Sequence, residues 1–461
     1  MNNTRLYIGV ETKAREFDAK LLLACFAAEA GFDTVLGQQK IFVKRLAEMP
    51  RGIWINKSIS PSKTEAYKHY KKLGVILAGY DEEGLAPFNA DEYKKRRISV
   101  ESLRQLECFF AWGQWQADVI AERAPSEAHR VVQVGHPRVD LTRREFRAFY
   151  DDEVKKIREQ YGQFLLINTN FSFYNHFHGK DGKIAMFEKA GKIADEAQRD
   201  YYLRLRDHKK TLFYEFAEIV RILRRRFPDA TVVLRPHPSE NHDYWREILP
   251  QDGKTHVVYE GTVLPWLMAA DVMIHNSCST GIEGYLLERP VITYRPIQAE
   301  EFENTLPNLL SEHALSREEL LQKVEYYLTR DRSVELPADE EKRRIAGRYI
   351  ASLDGPFSCE RTVERLSHIQ REAKPLEIFS YRAFVEMKRI AKGVLRRILR
   401  RQPVSTATTK RQDEYRSQKF PGISLGEIQQ GLIKYQQITG RFSDLRVAQI
   451  GKNLFQFERK I

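Results

Sequence analysis

Short apolar runs alternate with longer helix-like stretches along the chain, and this alternation limits the fold more than any other feature of the sequence. Short apolar runs joined by helices are typical of parallel βαβ units. A first series comprises Leu6–Val10, Thr34–Leu36, Gly52–Ile55, Val75–Ala78, Cys108–Ala111 and Arg130–Val134. A second comprises Phe164–Ile167, Thr231–Leu234, His256–Tyr259, Asp271–His275 and Pro290–Tyr294. The sequence therefore predicts an α/β protein with two Rossmann-like domains that face a cleft.

The length of the chain sets the expected domain boundaries. Because 461 residues exceed what one core supports, we expect two domains and additional segments. We predict an N-terminal, acceptor-side domain over residues 1–145, a connecting helix over 146–162 and a C-terminal, nucleotide-binding domain over 163–375. A basic helical extension is predicted over 376–461.

The composition indicates a globular protein of the cytoplasm. Hydrophobic residues form 42% of the chain and charged residues 30%, which is typical of folded rather than disordered proteins. No apolar run reaches the length of a membrane span, and Leu6–Val10 follows the start too closely for a signal peptide. The four cysteines have neither metal-ligand spacing nor a disulfide pattern, which favours a reducing compartment.

The formal net charge of +12 is concentrated near the C-terminus. Nine Lys or Arg residues and no acid lie between Lys388 and Arg411, with Ile390, Val394 and Ile398 on one helical face. Such a basic amphipathic helix commonly lies on an anionic membrane surface; the alternative is a terminal helix packed on the second domain. No RNA-binding or DNA-binding signature accompanies the charge, so nucleic acid is not an expected partner.

Two polar clusters follow predicted strands of the second domain. Arg235-Pro236-His237-Pro238 ends one strand, and its prolines leave Arg235 and His237 as the polar groups that the loop presents. Asn276 and Ser277 end another strand, and Ser279, Thr280 and Gly281 follow at the start of a helix. Ligands of open α/β sheets bind at such strand ends, and small residues at a helix start favour phosphate. A buried structural histidine and an ordinary helix cap are the alternatives.

Further donor-side candidates are Asn168, Asn170 and Glu283. The two asparagines end the first strand of the second domain, where either a close backbone approach to the donor or Asx turns would explain them. Glu283 lies in the first turn of a helix. It is either a partner of the helix dipole or a contact to a ribose or base.

The first domain offers three adjacent acids, Asp81, Glu82 and Glu83, directly before Gly84. Like charges in a partly buried cluster would raise one pKa toward the range of a general base. An exposed acidic turn is the alternative, and the sequence does not separate Glu82 from Glu83.

On the acceptor side, Glu11, Lys13 and Arg15 follow the first strand. The two cations could meet an acidic sugar or a lipid-linked phosphate. A helix start capped by Thr12 is the alternative.

These segments together resemble the bacterial surface carbohydrate biosynthesis proteins, which are similar to the retaining β-Kdo glycosyltransferases with a GT-B-like fold. The resemblance covers roughly residues 5 to 355. It rests on Glu11–Asp18, Asp81–Leu85, Phe110–Gly113, Asn168–Phe171, Arg235–Glu240 and His275–Glu283.

The resemblance implies roles for several of these residues. His237 and Pro238 would hold the CMP part of the donor, Ser279 and Thr280 would contact its phosphate, and the acidic cluster would supply the base in inverting members.

We therefore predict a glycosyltransferase of lipopolysaccharide or capsule biosynthesis that transfers an acidic sugar such as Kdo from a CMP-activated donor. The acceptor is expected to be a lipid-linked glycan, and the enzyme is expected to use no cofactor and no metal. A CDP-glycerol-type glycerophosphotransferase, a UDP-sugar 2-epimerase-like enzyme and a non-catalytic membrane-peripheral assembly factor remain alternatives. A base in the acidic cluster would separate an enzyme from a binding protein.

Overall fold

A computed structural model describes residues 4–85, 89–189, 191, 193–369, 378–387, 390, 417 and 419–460. The chain forms two compact units. The first unit comprises residues 1–85, 90–149 and 346–461, and the second comprises residues 86–89 and 150–345.

Fourteen strands are found among the described residues. They are β1 (Arg5–Val10), β2 (Asp33–Gln38), β3 (Ile53–Asn56), β4 (Ile76–Gly79), β5 (Cys108–Ala111), β6 (Val131–Gln133), β7 (Phe164–Asn168), β8 (Thr231–Arg235), β9 (Thr255–Val257), β10 (Val272–His275), β11 (Val291–Tyr294), β12 (Glu312–Ala314), β13 (Leu445–Gly451) and β14 (Leu454–Arg459).

The α-helices up to residue 161 are α1 (Lys13–Glu29), α2 (Gln39–Arg45), α3 (Thr64–Lys72), α4 (Ala90–Arg97), α5 (Val100–Arg104), α6 (Gln114–Arg123), α7 (Pro137–Asp140), α8 (Arg144–Arg147) and α9 (Asp151–Tyr161). Those that follow are α10 (Gly182–Lys189), α11 (Glu196–Arg226), α12 (His242–Ile248), α13 (Leu264–Ala269), α14 (Thr280–Leu286), α15 (Thr305–Leu310), α16 (Arg317–Thr329), α17 (Glu340–Tyr349), α18 (Ser358–Ser367) and α19 (Leu425–Thr439). Short 3-10 helices lie at Pro61–Lys63, Pro125–Arg130, Ala148–Tyr150 and Glu300–Phe302.

The first unit is built on an eight-stranded sheet with the order β13-β14-β2-β1-β3-β4-β5-β6. Strands β1 to β6 are parallel, and their residues are mostly buried, as expected for strands covered on both faces. The strand order changes direction between β1 and β3, which places a topological switch point next to the residues that follow these strands.

The last two strands form a hairpin on the edge of this sheet. β14 pairs antiparallel with β2, with Leu454 opposite Gly37 and Phe457 opposite Thr34. Phe457 is fully buried, so the hairpin contributes to the core as well as covering the edge of β2.

The second unit contains a six-stranded parallel sheet with the order β12-β11-β10-β7-β8-β9. Counted within the unit, this order is 6-5-4-1-2-3, the arrangement of dinucleotide-binding folds. The switch point lies between β7 and β10, and β8 is the other neighbour of β7. The loops that follow these three strands are therefore adjacent at one edge of the sheet.

The division of the chain differs from the predicted boundaries at three places. The predicted connecting helix over 146–162 begins at Asp151, and residues 346–375, assigned from the sequence to the second domain, group with the first unit. The extension over 376–461 is not wholly helical, because β13 and β14 lie within it. β14 pairs with β2 and β13 pairs with β14, and this pairing joins the C-terminal part of the chain to the first sheet.

The basic segment from Lys388 to Arg411 lies outside the described residues, except for Ile390, whose side chain is exposed. None of the helices within the described ranges is long and apolar enough to cross a membrane.

Candidate functional site

The loops that follow β7, β8 and β10 form a hydrogen-bonded platform at the carboxyl edge of the second sheet. Glu240 joins the first two of these loops. Its fully buried carboxylate accepts hydrogen bonds from Thr169 Oγ1 (2.9 Å), Phe171 N (3.0 Å), His237 N (3.1 Å) and Trp245 Nε1 (2.8 Å). Burial raises the pKa of Glu240, and these donors oppose the rise. The acid therefore fixes the backbone at His237 to the loop after β7.

Asn276 joins the loop after β10 to the loop after β7. Its Oδ1 accepts a hydrogen bond from Asn170 N (2.9 Å), and its Nδ2 donates to Asn170 O (3.4 Å). Asn168 Nδ2 donates to Thr280 Oγ1 at 3.0 Å. These three asparagines thus hold the switch point together, and only Asn170 is partly exposed among them.

The turn after β10 is strained and tightly supported. Ser277 has a φ of 58°, a left-handed conformation that is unfavourable for a residue other than glycine and that clusters at functional sites. Its Oγ donates to Asn308 Oδ1 (3.1 Å), and its carbonyl accepts from Asn304 Nδ2 (2.7 Å).

His275, the last residue of β10, stabilises the same turn through hydrogen bonds of both ring nitrogens. Its Nδ1 accepts from Cys278 N (3.1 Å), and its Nε2 donates to Ser311 Oγ (2.8 Å). Burial lowers the pKa of His275 to about 3, so the ring is neutral. A Cβ on Gly281 would lie 2.6 Å from this ring, so glycine is required there by packing.

His237 is positioned for a polar contact through Nε2. Its Nδ1 accepts a hydrogen bond from Ser239 N at 3.1 Å, so the neutral ring carries its proton on Nε2. His237 and Pro238 are both half-buried. The structure therefore does not place His237 in the core, the alternative that the sequence left open.

Arg235 and Glu283, both predicted to bind the donor, are buried within the second unit. Arg235 donates to the carbonyls of Glu260 (2.8 Å) and Gly261 (3.3 Å), and its guanidinium lies 4.8 Å from the centre of the Trp266 ring. Burial lowers the pKa of Arg235 to about 10. The arginine thus supports the loop after β9, whereas the sequence predicted a ligand contact. Glu283 is buried in the first turn of α14, and Ser279 directly before this helix is exposed.

In the first unit, the three acids after β4 have different environments. Asp81 is fully buried. It accepts hydrogen bonds from Tyr93 OH (2.9 Å) and Arg97 Nε (3.1 Å), and it makes a close ion pair with the same guanidinium. Its backbone carbonyl accepts from Trp112 Nε1 (2.7 Å). Asp81 is therefore a structural residue that anchors α4 and the end of β5.

Glu82 belongs to a buried charged cluster with Lys20 and His136. Glu82 Oε1 lies 2.9 Å from Lys20 Nζ, and Oε2 lies 3.4 Å from His136 Nε2. Lys20 also contacts Glu16 Oε2 (2.8 Å) and Gly9 O (2.7 Å). Burial alone would raise the pKa of Glu82, but the positive charge of Lys20 and the polar contact with His136 outweigh it and hold this pKa well below its usual range.

The pKa of Glu82 is thus shifted in the direction opposite to the one predicted from the sequence. Like charges were expected to raise one pKa of the acidic cluster toward neutrality. Cations instead surround the acids, so Glu82 is ionised and weakly basic.

Glu83 is the exposed member of the three acids, with 59% of its side chain accessible. Arg97 Nη1 lies 3.0 Å from Glu83 Oε2, and Arg15 Nη1 lies 3.7 Å from Oε1. The carboxylate is therefore oriented by two guanidinium groups at the protein surface.

The residues predicted for the acceptor side are held by other parts of the first unit. Glu11 forms an ion pair with Lys57, and burial, aided by Lys63, lowers the pKa of Lys57 to about 8. Lys13 forms an ion pair with Glu427 of α19. Arg15 lies between Glu83 and Glu16 and remains partly exposed. Of the predicted acceptor-side residues, only Arg15 adjoins the acids after β4.

Four residues that shape these sites were not predicted from the sequence: Lys20, His136, Glu240 and Lys209. The first three could have been predicted from the sequence. Glu240 ends the Arg235–Glu240 segment, His136 follows β6, and Lys20 is a charged residue in the apolar stretch of α1. Across the parts of the chain that the structure describes, no group of three His, Cys, Asp or Glu residues is arranged to hold a metal ion.

The fold has counterparts among solved structures. The wall teichoic acid polymerase TagF has a TM-score of 0.51 and 11% identity over 79% of this chain and 88% of that chain. A variant of the same polymerase has a TM-score of 0.50 and 10% identity over the same shares. The UDP-GlcNAc 2-epimerase of Methanocaldococcus jannaschii, in complex with UDP-GlcNAc and UDP, has 17% identity, a TM-score of 0.48 and coverage of 79% of this chain and 100% of that chain.

At these identities the similarity concerns the fold alone. It confirms the predicted α/β class with two parallel-sheet, GT-B-like domains. No family model matches the chain, and no curated protein matches it in sequence.

Proposed function

We propose that the chain is a glycosyltransferase of bacterial surface polysaccharide biosynthesis and that it transfers an acidic sugar, such as Kdo, from a CMP-activated donor. The observation that carries this proposal is the platform after β7, β8 and β10. Glu240 and Asn276 fix three neighbouring loops at the switch point of a Rossmann-like sheet, where nucleotides bind in this class of fold.

His237 is the proposed phosphate contact. Its ring orientation is set by Ser239 N, and its proton resides on Nε2 when neutral. A donor fixed in this way stabilises the charge that develops on the leaving nucleotide without reorganisation in the transition state. Four other proposed donor-binding residues are not fully buried, namely Pro238, Asn170, Ser279 and Thr280.

Glu83 is the proposed base. Asp81 and Glu82 are committed to buried partners, whereas Glu83 is exposed and oriented by Arg97 and Arg15. In an inverting reaction, its carboxylate would accept the proton of the acceptor hydroxyl. A non-catalytic assembly factor needs no such base, so a loss of turnover on replacement of Glu83 would separate an enzyme from a binding protein.

Arg15 is proposed to meet an anionic group of the acceptor, which we take to be a lipid-linked glycan. The guanidinium is partly exposed and adjoins Glu83. A planar fork of donors of this kind matches phosphate and carboxylate groups.

The cytidine part of the donor is argued from the resemblance around His237 and Pro238. A CDP-glycerol-type transfer is the second candidate, because the fold is shared with the wall teichoic acid polymerase TagF. The two candidates differ in the transferred group and share the nucleoside.

Titration calorimetry with CMP, CDP, UDP and GDP tests the proposal. We expect the two cytidine nucleotides to bind, with CMP the tightest, and His237→Ala to weaken nucleotide binding or leaving-group stabilisation by about 2–4 kcal/mol without loss of folding. Preferential binding of CDP would favour the glycerophosphotransferase. Preferential binding of UDP would contradict the donor assignment and favour a 2-epimerase-like enzyme.

A further inference from the structure

Lys209 is a cation in a core position of the second unit. It lies on the buried face of α11, between Leu205 and Leu212 at helical spacing, and only 4% of its surface is exposed. Lysine side chains are almost never this deeply buried unless their charge is paired.

Lys209 has no such partner. Its ammonium makes no hydrogen bond or ion pair with any residue that the structure describes. Lys20 of the first unit, also buried, shows the usual arrangement, because its ammonium contacts Gly9 O, Glu16 and Glu82 at 2.7–2.9 Å. An ammonium that is largely buried without a counter-ion is unfavourable, so Lys209 is a destabilising residue of the second unit.

Packing places Lys209 beside the platform. Phe213, one turn further along the buried face of α11, contacts Phe171 of the loop after β7, with ring centroids 5.7 Å apart.

Electrostatic interactions agree with this position, because the groups that act on Lys209 are Glu303, Cys278 and Glu240. Cys278 lies within the strained turn after β10, and Glu240 is the acid that joins the loops after β7 and β8. The field of Lys209 therefore acts on the loops that present His237 and Ser279.

Both nearby carboxylates are already engaged. Glu303 forms an ion pair with Arg295 at 2.5 Å and accepts from Asn308 Nδ2 at 3.1 Å. Glu240 accepts hydrogen bonds from four donors. Neither acid neutralises Lys209 by direct contact, which leaves the charge to be balanced by a group from outside the chain.

We propose that Lys209 is the cation that binds the phosphate of the nucleotide in the second unit, an assignment that rests on the proposed function. A phosphate is the anion that a nucleotide would bring to this platform, and a lysine binds it as a compact point charge. Binding would pair the ammonium of Lys209, and this pairing would contribute to the affinity for the donor.

The test compares Lys209→Met with Lys210→Met by calorimetry with CMP and CDP. Lys210 is the adjacent exposed lysine of α11, so both variants lose one positive charge from the same helix. We expect at least about a tenfold loss of affinity for Lys209→Met and less than about a twofold change for Lys210→Met. Lys209→Arg should retain part of the affinity. The melting temperature of Lys209→Met should equal or exceed that of the unmodified protein, because an unpaired buried charge is removed.

A pH titration of the unmodified protein provides a second measurement if a variant fails to fold. Burial lowers the pKa of Lys209 to about 8, although Glu303, Cys278 and Glu240 oppose the shift. The neighbouring His208 has a pKa lowered to about 4 by burial, and burial raises the pKa of Cys278, so neither gains or loses charge near pH 8. Affinity for CMP should therefore fall as the pH rises from about 7 to about 9.5.

Three results would overturn the inference, two of them without affecting the proposed function. Equal affinities of the unmodified protein and Lys209→Met, or an affinity independent of pH across this range, would overturn the role of Lys209 alone. Failure of the unmodified protein to bind any nucleotide would overturn the proposed function and this inference with it.

Discussion

At the scale of single residues, burial and local charge give three adjacent acids three different roles. Asp81 is held by Tyr93 and Arg97, and Glu82 is held by Lys20 and His136. Glu83, one residue further, is exposed. The chemistry of the side chains is nearly the same, so their partners alone decide which of them can reach a substrate.

Glu82→Gln should therefore lower the stability of the protein, whereas Glu83→Gln should lower its activity. Glu82→Gln removes one of the two carboxylates beside the buried Lys20 and should lower the free energy of unfolding by about 3 kcal/mol. Glu83→Gln breaks exposed ion pairs worth about 0–1 kcal/mol, but it should lower the transfer rate by at least about 100-fold. Urea unfolding and a transfer assay with the nucleotide sugar that binds best measure the two effects.

Asp81→Asn provides the control for this pair, since Asp81 is buried and engaged but makes no proposed contact to substrate. It should resemble Glu82→Gln in stability. Full activity of Glu83→Gln would show that the base lies elsewhere.

The sequence predicted where the polar residues lie but not how they are used. The position of His237, Asn276 and Asp81–Glu83 after strands follows from the apolar runs that precede them. The sequence does not reveal that Arg235 contacts Trp266 and the carbonyl of Glu260 in the loop after β9, because both residues are distant from it in the chain. The sequence likewise does not reveal that Lys209 lacks an ion pair, because its surroundings are formed by segments that come together only in the folded unit.

At the scale of elements, the C-terminal helix α19 is part of the first unit's core. Tyr435 OH donates to Asp18 O at 2.9 Å, and the Tyr435 ring stacks on Phe149 with centroids 4.5 Å apart. A Cβ on Gly431 would lie 2.4 Å from Cδ2 of Leu21 in α1. The two helices are therefore in direct contact at this glycine.

Gly431→Ala should destabilise the protein, and Gly426→Ala should not. The added methyl at residue 431 overpacks the contact with the fully buried Leu21, at a cost of about 1–3 kcal/mol. Gly426 lies on the exposed side of the same helix, where an added Cβ would make only an ordinary contact with Ser424 Oγ at 4.0 Å. Alanine there should stabilise the helix by up to about 1 kcal/mol. Thermal unfolding of both variants measures the difference, and equal melting temperatures would show that α19 does not pack closely on α1.

Strands β12, β13 and β14 were not predicted, and their composition explains why. β12 consists of Glu312, His313 and Ala314, so it contains no apolar run. In β14, Phe455 and Phe457 alternate with Gln456 and Glu458, the pattern of a strand with one buried face. The basic charge that precedes this region led to a helical assignment of the whole extension. The pairing of β14 with β2 depends on contacts between opposite ends of the chain, which the local sequence does not show.

At the scale of the whole molecule, the segment from Lys388 to Arg411 should bring the protein to anionic membranes. Each basic residue near such a surface contributes about 1 kcal/mol, and this attraction is screened over about 10 Å at 0.1 M salt. Co-sedimentation with anionic vesicles should therefore decrease with salt and be weak for neutral vesicles.

Truncation before this segment is not a clean test, since it would also remove α19 and the β13–β14 hairpin from the first unit. Replacement of basic residues by glutamine leaves these elements in place. The residues to replace are Lys388, Lys392, Arg396, Arg397, Arg400 and Arg401. A control variant with the same change of charge replaces exposed lysines of the second unit, namely Lys155, Lys156, Lys180, Lys189, Lys210 and Lys254. Equal loss of vesicle binding in both variants would mean that net charge, rather than this segment, determines binding.

The pairing of β14 with β2 also has a consequence for the order in which the protein folds during translation. The ribosome releases residues 150–345 of the second unit as one uninterrupted stretch, whereas the first unit needs residues from both sides of it. Domains generally fold as units as they emerge. The second unit can thus complete its sheet while the nascent first unit still exposes the edge of β2, and exposed strand edges invite pairing with other chains. The first unit therefore begins to be synthesised first and is completed last, when the β13–β14 hairpin covers the edge of β2.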